Sequence, residues 1–175
     1  VGRIEPLKGV ERLLEAVAHL NSRDNVRLLI IGGDAQSAPE IERLKQLAAN
    51  LGIQNSVIFL GLIDQVKLPL YYSAADVTVV PSYYESFGLV ALESLACGTP
   101  VVATDVGDLK NIIRPGVTGD VVEGGVSEIA GGIGSVLSWQ NSETSRNAIR
   151  ESVLRFSWQH VARRIEQECR RLMAE

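Results

Sequence analysis

The chain has 175 residues, of which 46% are hydrophobic, and it carries a formal net charge of −4 at pH 7. This length supports one domain with a substantial core, and a second domain of ordinary size would not fit comfortably. The acidic balance argues against general affinity for nucleic acid or for anionic membranes, although a local basic cluster remains compatible with it.

Cysteine usage and hydropathy bear on the compartment. Cys97 follows an apolar segment and Cys169 lies among charges, so a disulfide framework is not indicated. No apolar run approaches the roughly 18 residues that span a bilayer, and no signal peptide is visible. We therefore expect a reducing, cytoplasmic environment and no transmembrane segment, while peripheral contact with a membrane stays open.

Hydrophobic periodicity predicts strands and helices that alternate along the chain. The short, apolar strands are predicted at residues 26–31, 57–60, 77–80, 101–104 and 119–122. The amphipathic helices are predicted at residues 10–20, 39–51, 67–74, 88–96 and 127–137, followed by terminal helices at 146–155 and 159–172. This alternation is typical of an α/β fold, a Rossmann-like parallel sheet with helices on both faces.

In such a sheet, ligands bind beyond the carboxyl ends of the strands. Four segments are predicted to lie at that edge, and they come from distant parts of the sequence: residues 32–33, 61, 81–85 and 104–107. The two tryptophans, Trp139 and Trp158, fall outside these segments, and we expect them to be packing anchors.

The segment 81–93 reads Pro-Ser-Tyr-Tyr-Glu-Ser-Phe-Gly-Leu-Val-Ala-Leu-Glu and joins a predicted strand to a predicted helix. Ser86 occupies the position of an N-cap. The backbone N–H groups of Phe87, Gly88 and Leu89 are then expected to lack partners inside the helix and to attract an anion. Glycine at position 88 would let a ligand approach the main chain closely.

Two glutamates flank this turn, eight positions apart. Glu93 lies more than one turn inside the helix, so its carboxylate suits a neutral neighbour of the anion, and ribose hydroxyls fit because a carboxylate accepts their hydrogen bonds. Glu85 precedes the turn and lies nearer the phosphate end, where a transferred sugar would present hydroxyls of its own. The alternative is that both are solvated surface glutamates.

A second anion-binding feature is predicted at the start of the chain. The loop Gly-Arg-Ile-Glu-Pro-Leu-Lys-Gly, residues 2–9, leads into the first helix and carries two cations. The planar guanidinium of Arg3 and the mobile ammonium of Lys8 together suit the oxygens of a diphosphate. Ordinary surface charge is the alternative interpretation of this loop.

The order of the motifs resembles a known family. G-R-x(4)-K-G, then P-S-x-x-E-S-F-G-L-x-x-x-E, then A-C-G-T-P-V-V-A resembles the nucleotide-sugar-binding half of the retaining family 4 glycosyltransferases, which have the GT-B fold. The resemblance covers residues 1–122, with helical sequence beyond. Within the family, the sequence of these motifs most resembles glycosyltransferases of mycothiol synthesis and sucrose-phosphate synthases. Both use UDP-sugars, so a UDP-sugar donor is expected.

The resemblance implies a role for each matching residue. Residues at the positions of Arg3 and Lys8 bind the donor diphosphate, and those at Glu85 and Glu93 contact the donor sugar and the ribose. The other implied donor contacts are backbone groups or small residues of the loops: Phe87, Gly88, Leu89, Leu62, Ile63 and Gly107. The amides at 87–89 meet the sugar and the distal phosphate, the groups at 62–63 face the nucleobase, and Gly107 lies near the sugar.

The resemblance also implies a reaction that needs no metal and no cofactor other than the nucleotide-sugar donor. Retention at the anomeric carbon is expected, with cationic side chains and helix amides stabilising the departing diphosphate. The nearby carboxylates Asp105 and Asp108 do not complete a metal ligand set.

One loop departs from the family pattern. The family often continues Gly-Gly-x-x-Glu, whereas here Gly107 is followed by Asp108, and Asn111 stands where the glutamate usually is. This departure favours an alternative function, that of a non-catalytic nucleotide-sugar-binding regulatory module. A Rossmann oxidoreductase would share the alternation of elements, but no G-x-G-x-x-G follows the early strands.

The first two residues, Val1 and Gly2, read as the end of a strand. We therefore expect residues 1–175 to be a single donor-binding domain that works with an amino-terminal acceptor domain absent from this chain. The isolated chain is then expected to lack transfer activity while it retains some donor binding.

Overall fold

The computed structural model describes residues 1–20, 25–139 and 143–173. Its strands are β1 (Leu28–Ile31), β2 (Val57–Gly61), β3 (Thr78–Val80), β4 (Val101–Thr104) and β5 (Gly119–Val122). Its α-helices are α1 (Val10–Ala18), α2 (Ala38–Asn50), α3 (Leu68–Ala74), α4 (Leu89–Ala96), α5 (Leu109–Ile112), α6 (Val126–Leu137), α7 (Glu143–Ser152) and α8 (Trp158–Met173). Short 3₁₀ helices cover Pro6–Lys8, Ala35–Ser37, Gln65–Lys67 and Leu154–Phe156.

The strand pairs are parallel, which confirms the predicted strand direction. Strand β1 pairs with β2, and β4 pairs with β3 on one side and with β5 on the other. Within the described ranges the strands thus form two hydrogen-bonded sets rather than the single predicted sheet. The opening segment lies beside β1, because the Gly2 N–H donates to the Ile31 carbonyl oxygen at 2.9 Å.

The core consists of two hydrophobic clusters on opposite faces of β4. Val102 belongs to the first cluster, with buried residues of α1, α2 and α6, whereas Val101 and Ala103 belong to the second, with residues of α4, α5 and α7. Because side chains alternate across a strand, one apolar run supplies both clusters. The prediction of helices on both faces is confirmed.

Most element bounds differ from the predicted bounds by one or two residues. The larger differences lie in the second half of the chain, where α5 was not predicted and the predicted helix at 146–155 is α7 followed by a separate 3₁₀ helix. Trp139 packs against the first cluster, as expected. The expectation for Trp158 was wrong, since this side chain is 88% exposed.

Every helix in the described part of the chain is too short or too polar to cross a membrane.

Candidate functional site

The loops that follow β3 and β4 touch each other at the carboxyl ends of these strands. Gly107 has φ +58°, and a Cβ atom at this position would overlap the carbonyl oxygens of Glu85 and Ser86. The contact therefore requires glycine, both for its backbone angle and for the lack of a side chain. The structure thus places Gly107 directly against the backbone of Glu85.

An ion pair joins the opening loop to the loop after β3. The Lys8 Nζ donates to Glu85 Oε2 at 2.8 Å, across 77 residues of sequence, and the two side chains are 26% and 16% exposed. An ammonium has three donors, so Lys8 keeps two for another acceptor while it is paired. Two of the predicted site residues are therefore in direct contact.

Two further hydrogen bonds hold the main chain of the loop after β3 in place. The Tyr83 N–H donates to the Leu7 carbonyl oxygen at 2.8 Å, and the Thr104 hydroxyl donates to the Ser82 carbonyl oxygen at 2.6 Å. The loop that carries Glu85 is thus fixed on one side by the residue before Lys8 and on the other by the last residue of β4.

A buried arginine outside the predicted site completes this connection. The Arg12 Nε donates to the Pro81 carbonyl oxygen at 2.6 Å, and its Nη1 donates to the Gly124 carbonyl oxygen at 2.9 Å. Its guanidinium carbon lies 3.8 Å from the centroid of the Tyr83 ring. Burial lowers the pKa of Arg12, while a charge interaction with Tyr83 opposes that shift. No periodicity in the sequence marks this arginine as buried.

Glu93 accepts a hydrogen bond from a buried tyrosine. The Tyr72 hydroxyl, on α3, donates to Glu93 Oε2, on α4, at 2.8 Å. Tyr72 is 3% exposed, and its burial, followed by the bond to Glu93, raises its pKa. Sequence reasoning missed this contact, because the adjacent Tyr71 has the same side chain and only the packing of α3 distinguishes the two.

Helix α4 begins one residue later than predicted. Its N-cap is Gly88, with φ +91°, and no side chain caps it, so the prediction that Ser86 is the N-cap was wrong. A left-handed backbone there brings α4 close to α5: a Cβ atom on Gly88 would lie 2.5 Å from Cδ2 of Leu109. The N–H groups without intrahelical partners therefore begin at Gly88 and Leu89, and Phe87 precedes the helix.

The remaining predicted site residues lie in more exposed segments of the chain. Arg3 is exposed, and its guanidinium pairs with Glu5 at 3.0 Å rather than with Glu85. Leu62, after β2, is 73% exposed. It lies with Ile63 just before Asp64, whose carboxylate accepts from the Val66 N–H at 3.2 Å at the start of a 3₁₀ helix. These segments are placed on the surface, where a ligand has access to them.

The residues that depart from the family pattern bond to each other. The Asn111 side-chain amide donates to Asp108 Oδ1 at 2.6 Å, within the single turn of α5. Beside them, Lys110 pairs with Asp105 at 3.8 Å. Across residues 1–20, 25–139 and 143–173, no group of three or more His, Cys, Asp or Glu side chains could hold a metal ion.

The comparisons with known proteins identify the family. A family model described as "Glycosyl transferases group 1" matches residues 1–153. The chain belongs to this family. It is 43% identical to the D-inositol 3-phosphate glycosyltransferase of Acidothermus cellulolyticus, over 100% of this chain and 41% of that protein.

Solved structures of other glycosyltransferases share the fold. The sucrose-phosphate synthase of Thermosynechococcus elongatus superposes with a TM-score of 0.86 and 38% identity, over 99% of this chain and 44% of that one. Anabaena HepE, solved in complex with UDP-glucose, has a TM-score of 0.77 and 27% identity, over 99% and 47%. The prediction of an α/β fold of the GT-B type is confirmed.

The chain is shorter than the proteins it resembles. It spans about two fifths of the length of the curated glycosyltransferase from Acidothermus and less than half of each of the two solved chains.

Proposed function

We propose that this chain binds the nucleotide-sugar donor, a UDP-sugar, of a retaining glycosyltransferase. The observation that carries the proposal is the ion pair between Lys8 and Glu85, which joins the opening loop to the loop before α4 at the edge where parallel sheets bind ligands. The UDP-glucose complex of HepE, which shares the fold, supports this choice of donor.

The diphosphate would lie between Lys8 and the first turn of α4. Two N–H donors of Lys8 remain available for phosphate oxygens, and the amides of Gly88 and Leu89, which have no partner inside the helix, add partial positive charge at its N-terminus. The exposed guanidinium of Arg3 can leave Glu5 for a phosphate, because a surface ion pair contributes little stability. As the glycosidic bond breaks, negative charge grows on the diphosphate, and these groups then stabilise the transition state more than the ground state.

Glu85 would orient the transferred sugar. Its carboxylate is paired with Lys8 through Oε2, which leaves lone pairs on both oxygens for sugar hydroxyls. Glu85 therefore stands between the sugar and the cation that binds its leaving group. In this role it does not need to form a covalent bond to the anomeric carbon.

Glu93 would bind the ribose, and the backbone at Leu62 and Ile63, beside the exposed Leu62 side chain, would face the nucleobase. Glu93 lies one turn beyond the helix start and has one carboxylate oxygen, Oε1, outside its bond to Tyr72. A carboxylate that accepts from ribose hydroxyls suits this position, next to the anion but not on it.

The glycosyltransferase from Acidothermus is more than twice as long as this chain. We propose that an amino-terminal domain supplies most contacts to the acceptor and that sugar transfer needs both domains. A cytoplasmic location is part of the same proposal.

The donor is tested by saturation-transfer NMR on this chain with UDP-glucose, ADP-glucose, GDP-mannose and NADH. The expected result is saturation of the ribose and sugar protons of UDP-glucose, which UDP competes away. Binding of NADH in preference to every nucleotide sugar would contradict the proposal and revive the oxidoreductase alternative.

One observation favours a second candidate, a regulatory module that binds the donor without transferring it. Asn111 replaces the glutamate of the family pattern, and its amide is already bonded to Asp108. Radiolabelled UDP-glucose, given to the full-length protein with candidate acceptors, separates the two functions. Labelled product is expected for the enzyme, and donor binding with no transfer is expected for the module.

A further inference from the structure

Tyr72 lies outside the predicted site, but it contacts Glu93, a residue that is predicted to bind the donor. Its hydroxyl lies 2.8 Å from Glu93 Oε2, although the two residues are 21 positions apart and belong to different helices. The Tyr72 side chain is almost fully buried. The contact therefore comes from a buried side chain and engages one of the two carboxylate oxygens of Glu93.

A buried threonine hydroxyl group holds the backbone of Tyr72 in place, and it belongs to a small network of buried hydroxyl groups. The Thr99 hydroxyl donates to the Tyr72 carbonyl oxygen at 2.6 Å. The Ser94 hydroxyl, one residue after Glu93, lies 3.0 Å from the Thr99 carbonyl oxygen and 2.8 Å from the Thr78 hydroxyl oxygen. Ser94 and Thr99 are both 0% exposed. The bond between Tyr72 and Glu93 thus joins α3 to α4 directly, and Thr99 links the Tyr72 backbone to Ser94 through its hydroxyl and carbonyl groups.

The tyrosine is also fixed in its protonation state. Burial and the neighbouring Glu93 carboxylate both disfavour the phenolate and raise the pKa of Tyr72. The hydroxyl therefore remains a donor throughout the neutral range. A permanent donor at Oε2 restricts the rotation of the carboxylate, and its bond leaves Oε1 for another donor.

We propose that Tyr72 is a positioning residue that holds the Glu93 carboxylate ready for the ribose of the donor. The inference rests on the proposed function, in which Glu93 binds that ribose. A glutamate side chain has three rotatable bonds whose freedom is lost when it binds a ligand, and an existing hydrogen bond removes part of that loss beforehand. Tyr72 would thereby increase affinity for the nucleoside part of the donor without touching the donor.

The test is calorimetric titration of Tyr72→Phe with UDP and with pyrophosphate. This substitution keeps the buried ring and deletes only the hydroxyl. We expect an affinity for UDP that is weaker by about two- to tenfold, as for loss of the prior ordering of one side chain, and unchanged affinity for pyrophosphate. Tyr71→Phe is the matched control on the same helix, and its affinities for both ligands should equal those of the wild type.

The double variant Tyr72→Phe with Glu93→Ala separates positioning from general support of the fold. If Tyr72 acts through Glu93, the double variant binds UDP no more weakly than Glu93→Ala alone. Equal losses for UDP and pyrophosphate in Tyr72→Phe, or additive losses in the double variant, would overturn the inference. Wild-type chain that binds no UDP would refute the proposed function as well, whereas a loss in Glu93→Ala with none in Tyr72→Phe would refute only the positioning role.

Discussion

Arg12 illustrates how a single side chain outside the site fixes the loops that build it. Its guanidinium bonds to the carbonyl oxygens of Pro81 and Gly124 and lies against the Tyr83 ring. It is 6% exposed and has no carboxylate partner, and its Nη2 makes no hydrogen bond within the described residues. Two carbonyl groups thus depend on one buried cation, four residues after Lys8.

We predict that Arg12→Met destabilises the fold. The substitution leaves the carbonyl oxygen of the buried Pro81 without its Arg12 donor, deletes the part-buried bond to Gly124 and removes the cation from the Tyr83 ring, so the free energy of unfolding should fall by about 2 kcal/mol. Urea denaturation measures the change. Arg43→Met is the matched control, since Arg43 pairs with Glu11 and Glu40 on the surface and its loss should cost less than about 1 kcal/mol. Equal effects of the two substitutions would refute the role given to Arg12.

Among the helices and strands, the start of α4 shows what local sequence could and could not predict. Strands β4 and β5 have the predicted bounds, because short apolar runs between turn residues carry a strong strand signal. Helix α4 starts later than predicted because Gly88 adopts a left-handed conformation against Leu109, a contact between distant residues that no local pattern encodes. A helix as short as α5 has too few residues to show periodicity.

The same distinction applies to the site. The motif order led to Lys8 and Glu85, which the structure pairs. Arg12 and Tyr72 were missed, because their importance arises from burial and from contacts across 69 and 21 residues rather than from any local spacing.

We predict that Gly88→Ala destabilises the protein, whereas the same substitution in another helix does not. At Gly88, alanine would occupy a left-handed conformation and meet the Leu109 side chain, so a loss of about 1–3 kcal/mol is expected. At Gly131, inside α6, an added Cβ atom would have no heavy atom within 4 Å and φ is not positive, so Gly131→Ala should stabilise by up to about 1 kcal/mol. Thermal unfolding compares the two variants, and a shift of the same sign in both would contradict this explanation of the α4 start.

Across the chain as a whole, the two hydrophobic clusters pack against the parallel strands. The candidate site lies at the carboxyl ends of β3 and β4. Lys8 reaches this edge from the first residues of the chain, whereas Glu85, Glu93 and Gly107 come from its middle. The fold therefore brings together the Lys8 cation and the Glu85 carboxylate, which are 77 residues apart in sequence. A nucleotide sugar has the matching features, an anionic diphosphate between two groups of hydroxyls.

The proposed function places the diphosphate at one end of this site and the ribose at the other. Calorimetric titration of UDP and pyrophosphate into Arg3→Ala, Lys8→Ala and Glu93→Ala is the sharpest test of this assignment, with the surface variant Lys45→Ala as control and circular dichroism to check folding. We expect Lys8→Ala to weaken the affinity for both ligands by about tenfold or more and Arg3→Ala to weaken the affinity for UDP. Glu93→Ala should lose affinity for UDP far more than for pyrophosphate, and unchanged affinity for UDP in all three variants would contradict the assignment.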